Sequence, residues 1–172
     1  MTRVDHAVSS GTFSLDGETF DVDNNIWVIG DDTSCVVVDA PHSVDEIQAL
    51  VGDRTVSAIV CTHAHDDHVR VAADLREATG APILLHPADR PLWELTHGDL
   101  SWDADLADGQ EIAAGDTLFQ GGPGATGRSF SDAELIVDSI RARLFALPEG
   151  TIVHTGHGDD TTIGAERAGL DR

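Results

Sequence analysis

The stretch Thr62-His63-Ala64-His65-Asp66-Asp67-His68 crowds three imidazoles and two carboxylates into its last six residues, directly after the apolar run Val56–Cys61. Imidazole nitrogen and carboxylate oxygen are the donors that a borderline-soft cation such as zinc prefers. Five candidate donors in one turn point to a metal site rather than to a solvated polar loop. The chemistry such a site offers is hydrolytic: bound cations lower the pKa of water, polarise a carbonyl and stabilise the oxygen charge that develops. The remaining ligands must come from elsewhere in the chain.

The elements that would hold this stretch can be read in outline. Thr12–Leu15 and Glu18–Val22 alternate around Asp16-Gly17, a pair suited to a two-residue hairpin turn. Asp23-Asn24-Asn25 reads as a further turn. Ile26–Ile29 and Cys35–Val38 flank Gly30-Asp31-Asp32 as a second hairpin, and the triple valine suggests a strand buried on both faces. Asp39 follows at its end, placed to support the metal cluster or to cap a turn. Ser43 and Glu46 form a capping box for a helix through Leu50. Residues 55–61 return as a strand into the histidine stretch, 69–79 read as a helix stopped by Gly80, 82–85 as a strand and 88–97 as another helix. This succession is α/β in type.

Further on, residues 111–113 read as a short strand. Residues 120–128 form a Gly-rich loop without the Lys or spacing of a phosphate-binding loop. Ser131 and Glu134 read as a capping box, and Ile136, Ile140 and Leu144 recur on one helix face. A last strand over 151–154 leads into Thr155-Gly156-His157-Gly158, and a short helix over 161–170 closes the chain. No repeat or linker-like tract interrupts it, so residues 1–172 are expected to form a single domain.

Composition narrows the partners. Arg supplies all 10 basic residues against 31 acidic ones, for a formal charge of −21. Such a surface repels nucleic acid and anionic membrane, and leaves a small-molecule substrate as the expected partner. Cys35 and Cys61 each sit in an apolar strand-like run without CxxC spacing, as reduced core residues of a cytoplasmic protein would. The first residues lack an apolar leader, and no apolar run is long enough to span a bilayer.

The stretch His63–His68 matches the HxHxDH motif. With the strand before it, the segment Gly115-Asp116-Thr117-Leu118-Phe119 and the late Thr155-Gly156-His157-Gly158, it resembles the metallo-β-lactamase superfamily over nearly the whole chain. It is most similar to the glyoxalase-II-like (hydroxyacylglutathione hydrolase-like) hydrolases. The resemblance implies an α+β fold, a four-layer αββα sandwich with a two-zinc site between its sheets; iron or manganese could take the place of zinc. It implies that His63 and His65 hold the first metal, that Asp67, His68 and His157 hold the second, and that Asp116 bridges both. Asp67 and Asp116 are then the catalytic carboxylates, and a hydroxide shared between the metals is the nucleophile.

Family members carry a third first-site histidine ahead of the bridging Asp. Here no histidine lies between His97 and His154, and the segment of about two central strands that bears it is absent. His42, at a strand end, is a weak substitute. His86 has the position of a capping residue, His97 that of a helix C-terminus, and an extended strand would point His154 away from His157. The expectation is one well-formed metal site at Asp67, His68, His157 and Asp116 beside a weak first site, with a sheet edge that a homo-oligomer would cover. Arg128, after the Gly-rich loop, is a candidate contact for a substrate carboxylate. The expected activity is metal-dependent hydrolysis of a thioester or another activated ester or lactone. The alternatives are a catalytically weak metal-binding remnant with an interaction role and an iron-dependent sulfur dioxygenase of the same superfamily.

Overall fold

A computed structural model of the protein describes residues 3–106, 114–115 and 117–170. The chain divides into two compact units, Met1–Ser14 with Thr19–Glu111, and Leu15–Glu18 with Ile112–Arg172. The expected strand over 111–113 lies outside the described residues, as does Asp116.

The first unit is built on β1 (Arg3–Leu15), β2 (Glu18–Gly30), β3 (Ser34–Val38), α1 (Val44–Val51), β4 (Thr55–Val60), α2 (Asp66–Val69), α3 (Ala72–Thr79), β5 (Ile83–Leu85), α4 (Arg90–His97) and β6 (Ala104–Asp105). Its six strands form one sheet in the order β1-β2-β3-β4-β5-β6. β2 and β3 pair antiparallel across the Asp31 turn, with Trp27 opposite Val38. The pairs β3/β4, β4/β5 and β5/β6 are parallel, which is why a helix intervenes each time: a parallel neighbour needs a crossover that a tight turn cannot supply. Val37, Ile59, Ile83 and Leu85 from the sheet, with Ile47, Leu75 and Trp93 from the helices, are buried.

Local chemistry explains the boundaries. Asp16 and Gly17 both take positive φ, 56° and 80°, the geometry a two-residue hairpin turn demands. Asp31 accepts hydrogen bonds from Thr33 N, Ser34 N and Thr33 Oγ1 at 2.8–2.9 Å. Those donors, the Thr33 amide first, hold its carboxyl down at about 2. α1 starts as expected, Ser43 Oγ accepting from Glu46 N at 3.3 Å. The Glu46 carboxylate completes no box, however, since it accepts from Ser9 Oγ on β1. Gly80 ends α3 in the left-handed conformation, φ 72°.

One expected turn is a strand. Asp23-Asn24-Asn25 runs extended inside β2, with Asn24 and Asn25 buried. Asn is a poor strand former on average, but a side chain whose amide finds specific partners overrides that preference. Asn25 Oδ1 lies 2.7 Å from His6 Nε2, and Asn24 turns its amide to His42 and Asp67.

The second unit contains β7 (Ala114–Gly115), β8 (Leu118–Phe119), β9 (Gly122–Pro123), α5 (Ala133–Ser139), a π-helical turn at Ile140–Leu144, β10 (Ile152–Thr155), β11 (Thr161–Thr162) and α6 (Ile163–Leu170). β10 pairs with β11 on one side and with β7 in parallel on the other. Leu118, Ile140, Val153 and Ile163 form its core. α5 begins one residue later than the Ser131–Glu134 pattern suggests: Asp132 is the cap, its carboxylate accepting from Glu134 N and Leu135 N, while Ser131 Oγ accepts from Gly127 N and Arg128 N. No helix among the described residues is long and apolar enough to cross a membrane.

Candidate metal centre

β4 ends at Val60, and the chain turns through Cys61–His65 into the single-turn helix α2. His65 stands at the N-cap, its carbonyl accepting from His68 N and Val69 N. A strand end followed by so short a helix lets consecutive side chains converge instead of alternating. The backbone of α2 is tied to the end of β3, since Ala40 N donates to His68 O at 2.8 Å and Val71 N to Ala40 O at 3.1 Å.

Asp39 organises the stretch from that strand end. It takes positive φ, 62°, a conformation Asp tolerates better than most residues. Its Oδ1 accepts from Thr62 N at 2.8 Å, its Oδ2 from Thr62 Oγ1 at 2.9 Å, and its Oδ2 lies 2.8 Å from His68 Nδ1. A carboxylate only accepts, so His68 Nδ1 carries the proton and Nε2 the lone pair. The Thr62 hydroxyl proton is spent on Asp39, so Thr62 Oγ1 accepts from His63 Nδ1 at 3.1 Å. His63 Nε2 is then the lone-pair nitrogen as well.

His63 Nε2 and His65 Nδ1 lie 2.9 Å apart. Two nitrogen ligands of one tetrahedral zinc stand about 3.3 Å apart, given Zn–N bonds of about 2.0–2.1 Å. A hydrogen bond joins in this structure the two nitrogens that a cation would join. The His63 ring also lies 4.2 Å from the His68 ring, centroid to centroid, and Phe13 packs against His65. Asp67 and His68 are 3% and 0% exposed. Burial of a carboxylate among imidazoles is costly unless a charge compensates it, and a cation is the natural one. The donor set of His63, His65, Asp67 and His68 therefore fits a divalent metal of the zinc or iron kind.

The other residues singled out in the sequence fall as follows. Asp66 turns away from the cluster to accept from Ser14 N at 3.0 Å and to pair with Arg70. His42 Nε2 bonds Asn24 Oδ1 at 2.8 Å, and burial, followed by the Arg70 guanidinium, disfavours its protonation. His86 caps the turn at Pro87–Asp89 through Ala88 N, and His97 Nε2 bonds Val69 O at 2.9 Å. In the second unit, His157 follows β10 in a turn shaped by Thr155 Oγ1, which contacts Gly158 O and Asp159 O at 3.3 Å. The His157 ring stacks with Phe119 at 6.3 Å, and His154 pairs with Asp160. Arg128 lies 3.4 Å from Glu18. Sequence reasoning missed Asn24, whose Nδ2 lies 3.0 Å from Asp67 Oδ2, and the part of Thr62, whose hydroxyl fixes the His63 tautomer.

A family model described as the metallo-beta-lactamase superfamily matches residues 19–111, the span that carries β2 through the histidine stretch. An uncharacterized 11.5 kDa protein of Rhodococcus erythropolis is 40% identical over 123 residues, 72% of this chain and 83% of that protein. A hydroxyacylglutathione hydrolase of Ectopseudomonas mendocina is 32% identical over 78% of this chain and 62% of its own length. That alignment runs over 161 positions, more than 78% of 172 residues can fill, so the relative carries residues that this chain lacks. The crystal structure of TTHA1623 in a di-iron-bound form superposes with a TM-score of 0.76 at 27% identity, covering 92% of this chain and 96% of that one. Motif, mixed α+β architecture and relatives agree: the chain belongs to the metallo-beta-lactamase superfamily.

Proposed function

We propose that the protein is a cytoplasmic, metal-dependent hydrolase of a small thioester or other activated ester or lactone, with zinc as the expected metal. The observation that carries it is the proton arrangement around Thr62 and Asp39, which leaves His63 Nε2 and His68 Nε2 as lone-pair nitrogens beside the buried Asp67. A bound divalent cation would supply an acidified water and polarisation of the substrate carbonyl. His63 and His65 would hold one metal, Asp67 and His68 a second. By resemblance to the family, Asp116 and His157 would complete the ligand set. Asp39 keeps His68 in the binding tautomer and Thr62 does the same for His63; Arg128, which pairs with Glu18, is the candidate contact for a substrate carboxylate.

Metal content per chain, measured with hydrolysis of a thioester and of a simple ester, tests this reading. Retained metal with turnover that disappears in His63→Ala and His68→Ala supports it; absence of metal refutes it. The residues present in the hydroxyacylglutathione hydrolase and lacking here favour one second reading, a metal-binding remnant without turnover. Tight metal binding with no hydrolysis of either substrate would select that remnant.

A further inference from the structure

Behind the proposed ligands lies a polar pair with no part in the chemistry so far assigned. Asn24, 1% exposed, places Nδ2 at 3.0 Å from Asp67 Oδ2 and 3.3 Å from His68 Nε2, and Oδ1 at 2.8 Å from His42 Nε2. The orientation of this amide is not arbitrary. Asp67 can only accept, and His68 Nε2 accepts because Nδ1 is committed to Asp39, so the nitrogen end of Asn24 must face both. Its oxygen must then face His42, which makes His42 Nε2 a donor.

The far side of the His42 ring supports the same conclusion. A Cβ at Gly11 would lie 2.4 Å from His42 Cγ and Nδ1, so β1 needs glycine there for the ring to occupy its place. His42 Nδ1 is buried with no hydrogen-bond partner among the described residues. Burying an unsatisfied ring nitrogen is unfavourable, and an aliphatic side chain would fill the space without that cost. What an aliphatic side chain cannot do is donate to Asn24.

We propose that His42 and Asn24 are positioning residues of the metal site: His42 clamps the Asn24 amide, whose nitrogen holds Asp67 and His68 in binding geometry before a cation arrives. His68 Nε2 has one lone pair and must release Asn24 when it takes a metal, whereas Asp67 Oδ2 has a second and keeps its bond. Asn24 thus stands in for the cation in the metal-free protein and steadies Asp67 afterwards. Outer partners of this kind commonly set metal affinity as strongly as some ligands do. The inference rests on the hydrolase reading only in requiring that His68 and Asp67 bind metal.

Cobalt(II) titration of the full chain, followed by visible absorption, and competition with a zinc chelator test it. His42→Leu and Asn24→Leu are each expected to weaken metal binding by about tenfold or more, while His42→Gln, which restores a donor, stays within about threefold of wild type. The double variant should bind no more weakly than Asn24→Leu alone, because His42 acts only through Asn24. Melting of the metal-free proteins checks that each one folds. If His42→Leu does not fold, Gly11→Ala displaces the same ring without removing it and should show the same loss. Unchanged affinity in these variants, no rescue by His42→Gln, or additive losses in the double variant would overturn the clamp while leaving the hydrolase reading intact. No binding by the wild type would overturn both.

Discussion

At the scale of single residues, the centre is controlled by groups that hold protons in place. Asp39 is the clearest case, joining Thr62 N, Thr62 Oγ1 and His68 Nδ1 through one carboxylate. Asp39→Ala removes the acceptor that fixes the His68 tautomer. Metal affinity should fall by about 10–100-fold, read by the same chelator competition; unchanged affinity would show that the His68 ring needs no such anchor. Asp31 offers a test of a different kind. Its carboxyl is held at about 2, below the ordinary 3.8, so it binds protons less readily folded than unfolded. Its contribution to stability is then present above the ordinary value and is lost as pH falls towards 2. In Asp31→Asn the loss of stability between pH 4 and pH 2 should be shallower than in the wild type, as measured by denaturant unfolding, and an NMR titration should place the wild-type carboxyl near 2. Because the side chain is solvent-accessible, the effect should shrink in high salt if it is partly coulombic and persist if the Thr33 and Ser34 hydrogen bonds dominate.

At the scale of elements, what the sequence discloses depends on how local the cause is. The hairpin at Asp16-Gly17, the Ser43 cap and the Gly80 stop are each decided within a few residues, and each was readable. The expected Gly80 stop also makes a testable case: φ is 72° and a Cβ would meet nothing within 4 Å. Gly80→Ala should therefore cost about 1 kcal/mol from backbone conformation alone, seen as a lower denaturation midpoint with an unchanged m-value; a larger loss would mean that packing is also disturbed. Asn24 is the opposite case. Asp-Asn-Asn has the composition of a turn, and what makes it strand is a set of partners 18 and 43 positions away in the chain, His42 and Asp67. Nothing local announces them. The four-ligand cluster lay between these extremes. HxHxDH discloses the donors, but which nitrogen of each ring carries the lone pair depends on Asp39 and Thr62, and of these two the sequence marks only Asp39 as a supporting residue.

At the scale of the whole molecule, the dominant feature is a formal charge of −21 on 172 residues, with 31 acidic groups against 10 arginines. The arginines of the first unit are largely committed to pairs and backbone contacts: Arg54 with Asp5 at 2.7 Å, Arg70 with Asp66 and Thr12, Arg76 with Asp103 at 3.3 Å. Local pairing therefore leaves most of the negative charge uncompensated, and self-repulsion opposes the compact state. Salt weakens both effects, but not equally. An exposed ion pair contributes about 0–1 kcal/mol, whereas the repulsion sums over all the unpaired carboxylates within a Debye length of about 10 Å at 0.1 M. Repulsion should win, so raising sodium chloride from 0.05 M to 1 M is expected to raise the melting temperature of the metal-free protein by several degrees. Most of that rise should come before the Debye length has shrunk to the spacing of neighbouring side chains. Cations bound in the centre would neutralise charge locally and leave the remaining repulsion in place, so the metal-loaded protein should start from a higher melting temperature and still gain from salt. A melting temperature that falls with salt would mean that the ion pairs outweigh the repulsion, and the acidic surface would then need an explanation other than tolerance of its own charge.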